Sequence, residues 1–336
     1  MRPGTLKLRG DTRRPEAGVF PDLDSKGYTV VKGAIPAERA AEYVQRMYGW
    51  LESFNLGFKG NDPSTWHIDR VPYFNRGGIY TRNGAGHEQF AWDIRGEPGV
   101  INAFAKIWGT DELLVSFGES CYGTMLIADA VNISLPYPKE EMEGQRGKPW
   151  PHVDQSPNKR FKNCIQGIAN LEKNGPDDGG LMVLSGSLPL FEEYFKAKEA
   201  SGDAPEWSWR DAAWYSDDDL QWFYDRGCKW VKVEADPGDL ILWDSRTIHY
   251  GANAQGSRPR VAAYVCYKPA ADIHPDMKAA KLHAMEHHIS TSHDPLLFRM
   301  TGSQIEKKIA EDERPGPIVK PVLTQRMKRL AGLVDY

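Results

Sequence analysis

The chain has 336 residues, of which 40% are hydrophobic and 26% charged, as is usual for a globular protein with a sizeable core. The formal net charge of -4 at pH 7 and the isoelectric point near 6.2 leave no excess of Lys and Arg to neutralise a phosphate backbone, which argues against nucleic-acid binding. The N-terminus lacks the apolar core of a signal peptide, no stretch is apolar enough to cross a membrane, and the four cysteines show no CxxC spacing, so we expect a cytoplasmic protein without a membrane partner.

The first third of the chain predicts helices beside a single strand. Residues 1–25 are rich in Pro, Gly and Arg and predict an irregular arm. Within residues 26–120, the run KGYTVVKGAIP predicts a strand, and apolar residues at helical spacing predict a helix over 36–54. A second helical pattern covers 99–114, with Gly109 as its C-terminal stop. We therefore expect residues 26–120 to be an N-terminal helical support.

Residues 121–270 change to short apolar or alternating runs bounded by Gly, Pro, Asn and Asp, such as CIQGIANLE, GGLMVLSGS, GDLILWD and RVAAYVCYK. Many strands at short spacing predict a mainly β fold with helical additions, built on a double-stranded β-helix, which is the jelly-roll or cupin-like core. A helical insertion interrupts this core at 188–228, and residues 271–336 predict C-terminal helices and a tail. We expect a single domain over 1–336.

The insertion at 188–228 combines helical and aromatic signals. SDDDLQWFYDRG begins like a capped helix, with Ser216 at the N-cap and acidic residues in the first turn, where the helix dipole favours negative charge. The tryptophans in the insertion or at its edge are Trp207, Trp209, Trp214, Trp222 and Trp230. Such aromatic density can line a substrate pocket or a subunit contact, but packing against the barrel is more common, and we expect packing here.

Three His-x-Asp pairs occur in the chain, at positions 67/69, 152/154 and 274/276. Residues two apart on a strand point to the same face, so an imidazole and a carboxylate at this spacing can converge on one ion. Only His152 and Asp154, within PHVDQSP, have a suitable histidine downstream. We interpret the other two pairs as ordinary polar residues, and Pro275 also breaks strand pairing in the last of them.

A third ligand candidate lies well downstream of this pair. His249 lies in a short loop after the predicted strand GDLILWD, and Arg260 begins the next predicted strand. Two histidines and one carboxylate form a set that binds Fe(II) and leaves other coordination positions open for O2 and a co-substrate. The planar guanidinium of Arg260, or that of neighbouring Arg258, suits bidentate binding of a carboxylate. These residues together predict Fe(II) and a bound 2-oxo acid.

Several motifs resemble the Fe(II)/2-oxoglutarate oxygenases of the phytanoyl-CoA dioxygenase superfamily, in particular its fungal and bacterial small-molecule branches: PHVDQSP, CIQGIANL, DDGGLMVLSGS, GDLILWDSRTIHYG and the spacing from His249 to Arg260. The resemblance covers about residues 26–270. It implies that His152, Asp154 and His249 are the iron ligands and that Arg260 holds the distal carboxylate of 2-oxoglutarate. It further implies that the enzyme uses O2, converts 2-oxoglutarate to succinate and oxidises a C–H bond of a small molecule in secondary metabolism.

Alternatives exist for the outcome of the reaction and for the class of protein. Halogenases that resemble this chain usually replace the carboxylate with a small residue, so Asp154 favours hydroxylation, with desaturation, cyclisation or epimerisation at the same site as alternatives. A jelly-roll protein that binds a ligand or metal without turnover is an alternative from another class. A zinc hydrolase is a third, and it predicts activity without 2-oxoglutarate.

Polar residues on neighbouring strands are further candidates for the site. Asn132 lies on the predicted strand before the His152 pair, and Gln166 and Asn170 share one face of the strand after it. We expect Asn132 and Gln166 to contact the oxo acid or the substrate. Polar residues on barrel strands are as often simply hydrogen-bonded within the fold.

Two C-terminal features carry weaker signals. His283 and His287 are one helical turn apart and suit zinc, but HExxH and a clear third ligand are missing, so we expect a solvated helix face. The end of the chain, LTQRMKRLAGLVDY, is apolar after a basic helical stretch. A lid over the site, a frayed tail and a homodimer contact are alternative roles for it.

Overall fold

Two antiparallel β-sheets form the centre of the structure, in the region where the sequence predicts a jelly roll. The computed structural model describes residues 18–75, 77–118, 120–121, 127–128, 131–142, 148–202, 204–208, 212–301 and 313–336. The strands of this part are β1 (Tyr28–Val31), β2 (Ile79–Tyr80), β3 (Leu113–Val115), β4 (Ser120–Cys121), β5 (Ile127–Ala128), β6 (Val131–Ser134), β7 (His152–Val153), β8 (Ile165–Asn170), β9 (Gly180–Ser185), β10 (Ala213–Trp214), β11 (Lys229–Lys232), β12 (Leu240–Asp244), β13 (His249–Ala252), β14 (Arg260–Pro269), β15 (Ser290–Thr291) and β16 (Met300–Thr301).

The strand order identifies the fold. The larger sheet has the order β1-β12-β8-β14-β6-β2, with β3 paired to the far end of β14, and the smaller sheet has the order β10-β7-β13-β9-β11. The strand pairs described in both sheets are antiparallel, and most neighbours are distant in the chain. These crossovers are those of a jelly roll, so the predicted mainly β fold with a double-stranded β-helix core is confirmed.

The strands of the larger sheet divide their side chains between two cores. Successive residues on a strand point to opposite faces, so on β8 Ile165 and Ala169 pack among the helices, whereas Ile168 faces the smaller sheet. The apolar side chains between the sheets include Leu181, Val183, Ile241, Trp243 and Ala262. By the same alternation, Gln166 on β8 and Arg260 on β14 point toward the smaller sheet.

Most helices support the larger sheet or extend its ends. They are α1 (Pro21–Lys26), α2 (Ala37–Glu52), α3 (Gln89–Arg95), α4 (Pro98–Trp108), α5 (Ser187–Ser201), α6 (Asp217–Tyr224), α7 (Pro275–Glu286) and α8 (Gln325–Leu330). α2 and α4 confirm the two predicted N-terminal helices, and Gly109 ends α4 in the left-handed conformation, with φ of 63°. Within the described ranges, no helix has the length and apolar character needed to span a membrane.

Three local features differ from the expectations. Residues 21–25, predicted as part of the irregular arm, belong to α1, which begins at a proline. Leu113 and Leu114, the last residues of the helical pattern 99–114, belong to β3, because the helix ends at Gly109 as expected and these residues pair with β14. α3 has only seven residues, which is too short for a helical period to be recognised in the sequence.

The insertion builds a second, aromatic core on the outer face of the smaller sheet. α5 and α6 supply Phe191, Phe195 and Phe223, which pack over Val153 and Ile248 of that sheet. Ser216 and Asp219 form a reciprocal capping box at the start of α6, which confirms the predicted N-cap. Packing is also confirmed as the role of the tryptophans Trp207, Trp222 and Trp230. Trp214 is exposed, and Trp209 lies outside the described residues.

The C-terminal end docks on the larger sheet. Met327 and Leu330 of α8 are buried in the core on its helical side, and the Tyr336 hydroxyl donates a hydrogen bond to the Leu113 carbonyl at 2.6 Å. This face lies opposite the space between the sheets. The predicted alternatives of a lid over the site and a frayed tail are therefore wrong for residues 325–336, which are an integral part of the support.

Candidate metal centre

The smaller sheet brings together three residues that are distant in the sequence. His152 begins β7 and His249 begins β13, and the two histidines are register partners on these neighbouring strands. Asp154 follows β7 directly, and its backbone N–H donates at 3.0 Å to the carbonyl of Ser245, in the turn between β12 and β13. The expected convergence of the His152 and Asp154 pair with a distal histidine is therefore present in the fold.

Backbone carbonyls fix the orientation of both imidazoles. His152 Nδ1 lies 3.0 Å from the Trp150 carbonyl, and His249 Nδ1 lies 2.9 Å from the Thr247 carbonyl. A carbonyl only accepts hydrogen bonds, so we assign the proton of each neutral ring to Nδ1. This leaves the Nε2 lone pairs directed at the Asp154 carboxylate, as in histidines that bind a metal.

The distances among the three side chains fit a single metal ion. His152 Nε2 lies 3.3 Å from Asp154 Oδ1, and His249 Nε2 lies 3.1 Å from Asp154 Oδ2. Ligands at right angles with bonds of about 2.1 Å lie about 3 Å apart, so these separations are those of adjacent ligands. The three residues are buried, and Asp154 Oδ1 has no hydrogen-bond donor among the described residues. A cation between them would satisfy that oxygen.

The protonation states also suit a cation. Burial alone raises the pKa of Asp154, but His152 and His249 hold that pKa well below its usual range. Burial and neighbouring His249 lower the pKa of His152. The centre therefore combines an ionised carboxylate with a neutral imidazole, and these are the forms in which both groups bind metals. Within the described residues, His152, Asp154 and His249 are the group that could hold an ion.

Surrounding side chains hold this arrangement in place. Gln166 Nε2 donates to Asp154 Oδ2 at 2.9 Å. The Trp150 ring stacks on the His152 ring with centroids 4.2 Å apart and an interplanar angle of 4°. Trp243 contacts the other imidazole, with its ring centroid 5.5 Å from that of His249. Gln166 and Trp243, both from the larger sheet, thus contact the carboxylate and the His249 ring. Trp150, two residues before His152 in the chain, contacts the His152 ring.

The two candidate arginines have different surroundings. Arg258 Nε lies 3.0 Å from Asp178 Oδ2, so its guanidinium is already paired with a buried carboxylate. Arg260 is buried at the start of β14, and its NH2 group lies 3.5 Å from the Tyr264 hydroxyl. Among the described residues, no carboxylate forms an ion pair with Arg260. Arg260 therefore has a guanidinium open to a carboxylate ligand, whereas Arg258 is already engaged with Asp178.

The other predicted polar residues have separate positions. Asn132 on β6 faces the interior, where Nδ2 donates to the Gly77 carbonyl at 2.7 Å and Oδ1 has no partner among the described residues. The Gln166 amide reaches Asp154, which is a predicted metal ligand. Asn170 Nδ2 donates to the carbonyls of Glu172 and Asp236, which makes it a structural residue.

The remaining histidines lie elsewhere. His67 Nδ1 bonds to Glu141 at 2.6 Å, and His274 accepts from the Asp276 backbone N–H at the start of α7, so neither His-x-Asp pair belongs to a metal group within the described residues. His283 on α7 and His287 at the C-cap of that helix are exposed, with ring centroids 4.3 Å apart. The predicted solvated helix face is confirmed for this pair.

Two residues near the centre were missed by the sequence analysis. Trp150 precedes the PHVD motif by one residue, and that adjacency to a predicted ligand was an available signal. Tyr264 lies four residues after Arg260 and hence on the same face of β14, where its ring centroid is 5.8 Å from the guanidinium carbon. Strand alternation from Arg260 could have found it.

Comparison with known proteins gives one family and several relatives. A family model described as "Phytanoyl-CoA dioxygenase (PhyH)" matches residues 23–262. The protein named "Ava biosynthesis cluster protein O" from Aspergillus versicolor is 38% identical over 276 residues, which are 82% of this chain and 84% of that protein. The family match includes the segments that carry the candidate centre, since it extends through Arg260.

Two solved structures share the fold at low sequence identity. "GlcNAc Inducible Gene 2, GIG2 (DUF1479)" from Candida albicans superposes with a TM-score of 0.60 and 12% identity, over 93% of this chain and 75% of that one. "Hypothetical Protein JW0805" from Escherichia coli superposes with a TM-score of 0.53 and 16% identity, over 92% of this chain and 80% of that one. These likenesses show that the fold is shared over most of the chain.

Proposed function

The chain belongs to the phytanoyl-CoA dioxygenase family and is an enzyme of the Fe(II)/2-oxoglutarate-dependent dioxygenase type, and from this premise we propose that it hydroxylates a C–H bond of a small organic metabolite. His152, Asp154 and His249 hold the iron in this proposal, and Arg260 holds the distal carboxylate of 2-oxoglutarate. The observation that supports it most directly concerns the buried Asp154 carboxylate. Its oxygens lie 3.3 Å from His152 Nε2 and 3.1 Å from His249 Nε2.

The chain positions and shields the reacting groups. When bound, ferrous iron and 2-oxoglutarate supply the oxidation, in which O2 is consumed, 2-oxoglutarate yields succinate and CO2, and a C–H bond of the substrate is oxidised. His152 and His249 present lone pairs at fixed angles, because the carbonyls of Trp150 and Thr247 hold their Nδ1 protons. Burial of the centre keeps bulk water away from the reaction.

Arg260 and Asn132 suit the co-substrate. Both lie on the interior face of the larger sheet, on the paired strands β14 and β6, where Arg260 is the register partner of Ser134 and Asn132 that of Ala262. A guanidinium that no described carboxylate occupies matches the distal carboxylate of 2-oxoglutarate. The Asn132 amide, two residues along β6 from that partner, can complete the recognition of the same acid. Gln166 acts through Asp154 as a positioning residue.

Hydroxylation is proposed among the outcomes open to this class because the third ligand is a carboxylate. Asp154 occupies two directions with its oxygens, one toward each histidine, so the position where a halogenase accommodates a halide is filled. Desaturation, cyclisation and epimerisation begin from the same oxidised state of the substrate and differ in the later steps. They are distinguished from hydroxylation by the mass of the product.

The substrate class is inferred from the relatives and from the charge of the chain. The Aspergillus versicolor relative is named as a biosynthesis cluster protein, which supports a metabolite of a dedicated biosynthetic route as the substrate here. The net charge of -4 offers no excess of positive charge for a polyphosphate or a nucleic acid. We therefore propose a small molecule of low negative charge.

The test combines metal loading, succinate formation and product mass. The protein with Fe(II) and 2-oxoglutarate under anaerobic conditions is expected to show a weak visible charge-transfer band, and a metabolite screen in air is expected to contain compounds that stimulate succinate formation. A product heavier by one oxygen atom supports hydroxylation, a loss of two hydrogens indicates desaturation or cyclisation, and an unchanged mass indicates epimerisation. Absence of both band and succinate favours a binding protein, and turnover without 2-oxoglutarate favours a zinc hydrolase.

A further inference from the structure

Two cysteines face each other between central strands of the larger sheet. Cys164 immediately precedes β8, Cys266 lies on neighbouring β14, and their Sγ atoms are 3.0 Å apart. Both side chains are buried. In register, Cys266 is opposite Gln166, and Cys164 lies two residues before Gln166 on the same face of its strand. The two sulfurs therefore form a diagonal pair across two hydrogen-bonded strands.

A backbone carbonyl and a lysine lie near the pair. Cys266 Sγ donates to the Ile165 carbonyl at 3.1 Å, so the Cys164 thiol is the group that can donate across the gap between the sulfurs. Lys268 is two residues further along β14, with Nζ 3.2 Å from Asp294. Burial acts to lower the pKa of Lys268, but Asp294 and the two cysteines raise it, so a charged ammonium stands beside both thiols.

We propose that Cys164 and Cys266 are a redox-active pair that closes to a disulfide on exposure to hydrogen peroxide. One sulfur takes an oxygen atom from peroxide as the O–O bond breaks, which gives a sulfenic acid and one water. The second sulfur then attacks the first, the S–S bond forms, and the oxygen leaves as a second water. Two thiols lose two electrons and two protons, and one hydrogen peroxide is reduced to two waters.

The position of the pair connects it to the metal centre. Gln166, the register partner of Cys266, donates to Asp154 Oδ2 at 2.9 Å. Closure from 3.0 Å to the length of an S–S bond, about 2 Å, draws β8 and β14 together beside that glutamine. Disulfide formation itself does not depend on the proposed function. Any effect of the disulfide on the oxidation of a substrate does rest on the proposed function.

The alternative is that both residues act only as small apolar side chains, which is common for buried cysteines. The two roles differ in a property that packing does not predict. Buried cysteines that only pack resist peroxide while the protein is folded, and when forced they oxidise singly to sulfinic acid. A redox pair loses two hydrogens together and regains them with a thiol reductant.

The experiment treats the full chain with stoichiometric hydrogen peroxide under native conditions. A Cys121→Ser/Cys228→Ser variant leaves Cys164 and Cys266 as the two thiols of a chain with four cysteines. We expect its intact mass to fall by two hydrogens, and non-reducing digestion of the wild type with trypsin to give peptide 163–173 linked to peptide 261–278. Dithiothreitol should restore both thiols. Closure of a loop of this length should also raise Tm by about 3 °C or more.

A matched control and a clear contrary result complete the test. The Cys164→Ser and Cys266→Ser variants should show no linked peptide and no peroxide-dependent rise in Tm, because each lacks the second sulfur that the disulfide needs. Two thiols that survive treatment of the folded double variant would overturn the proposal, as would stepwise addition of oxygen without a linked peptide. Succinate formation is not part of this readout, so failure of the proposed function leaves the result intact.

Discussion

His152 and His249 are register partners on the antiparallel strands β7 and β13, with ring centroids 4.4 Å apart. Backbone hydrogen bonding between the strands therefore fixes two residues that are far apart in the sequence, and the turn after β7 adds Asp154 to them. Because strand pairing and not the metal holds these positions, we expect variants of single ligands to fold. Their losses of activity can then be measured on intact protein.

Removal of the carboxylate should abolish iron-dependent turnover. Asp154→Ala removes the negative charge that attracts a divalent cation. Even outer partners of metal ligands contribute 10- to 100-fold to affinity, so we expect at least about a 100-fold loss of substrate-stimulated succinate formation. Iron content and succinate are measured together. His283→Ala, a change to an exposed histidine on α7, is the control and should retain both. Full turnover by Asp154→Ala would contradict the proposed ligand set.

Gln166 should tune the iron site without being a ligand. Its amide donates to Asp154 Oδ2, so Gln166→Leu removes the donor that orients this oxygen while keeping a side chain of similar volume. We expect about 10- to 100-fold weaker Fe(II) binding in an equilibrium titration. Gln221→Leu on the exposed face of α6 serves as the matched control. Equal Fe(II) affinities for the two variants would show that the hydrogen bond has no such role.

Substitutions of the two arginines should have different effects on the KM for 2-oxoglutarate. Arg260→Leu removes the guanidinium proposed to bind the distal carboxylate, and a charged hydrogen bond contributes about 1.5–3 kcal/mol, so the KM for 2-oxoglutarate should rise about 10- to 100-fold. Arg258→Leu breaks the pair with Asp178 and should lower thermal stability while leaving that KM nearly unchanged. Steady-state kinetics with varied 2-oxoglutarate decide the matter. The reverse pattern would assign the anchor to Arg258.

Lys281 should make the stability of the fold depend on pH. The residue is buried on α7, where its ammonium donates to the Val115 carbonyl at 2.5 Å, and burial followed by nearby Arg95 lowers its pKa to about 7 from 10.5. Between these values the unfolded chain binds a proton that the folded chain does not, so the free energy of unfolding should rise with pH across this window. The slope from this one group approaches about 1.4 kcal/mol per pH unit at most.

The variant Lys281→Met isolates this contribution. Its free energy of unfolding should exceed that of the wild type most at pH 7 or below, and the difference should shrink as pH rises toward 10. Urea titrations at several pH values measure it, with Lys278→Met on the surface of the same helix as the control. A difference that is constant with pH would mean that Lys281 stays charged in the folded protein.

The sequence predicted the parts of the site that depend on local rules. His152 and Asp154 are two apart on a strand and its extension, and Gly and Pro around the later strands marked the position of His249. The choice between Arg258 and Arg260 could not be made from spacing, because it depends on the Asp178 carboxylate, eighty positions earlier than Arg258, which pairs with one of them. Such a partner is visible only when the loops are assembled.

Contacts that depend on strand register could not be predicted from the sequence, for the same reason. Cys164 and Cys266 are 102 positions apart, and nothing in their surroundings in the sequence pairs them. The Gln166 side chain was expected in the site, but its contact with a ligand oxygen requires the larger sheet to approach the smaller one at this point. Leu113 and Leu114 continue the helical pattern 99–114 beyond its predicted stop at Gly109, and their place in a strand depends on pairing with β14.

Each imidazole of the centre is oriented by the peptide carbonyl two residues before it in its own chain, Trp150 for His152 and Thr247 for His249. The orientation of both Nε2 atoms is therefore determined within two tripeptides, residues 150–152 and 247–249. Residues that contact the organic substrate can be redesigned, or can differ among relatives, without a change in that orientation. A protein built in this way can change what it acts upon while conserving the means by which it acts.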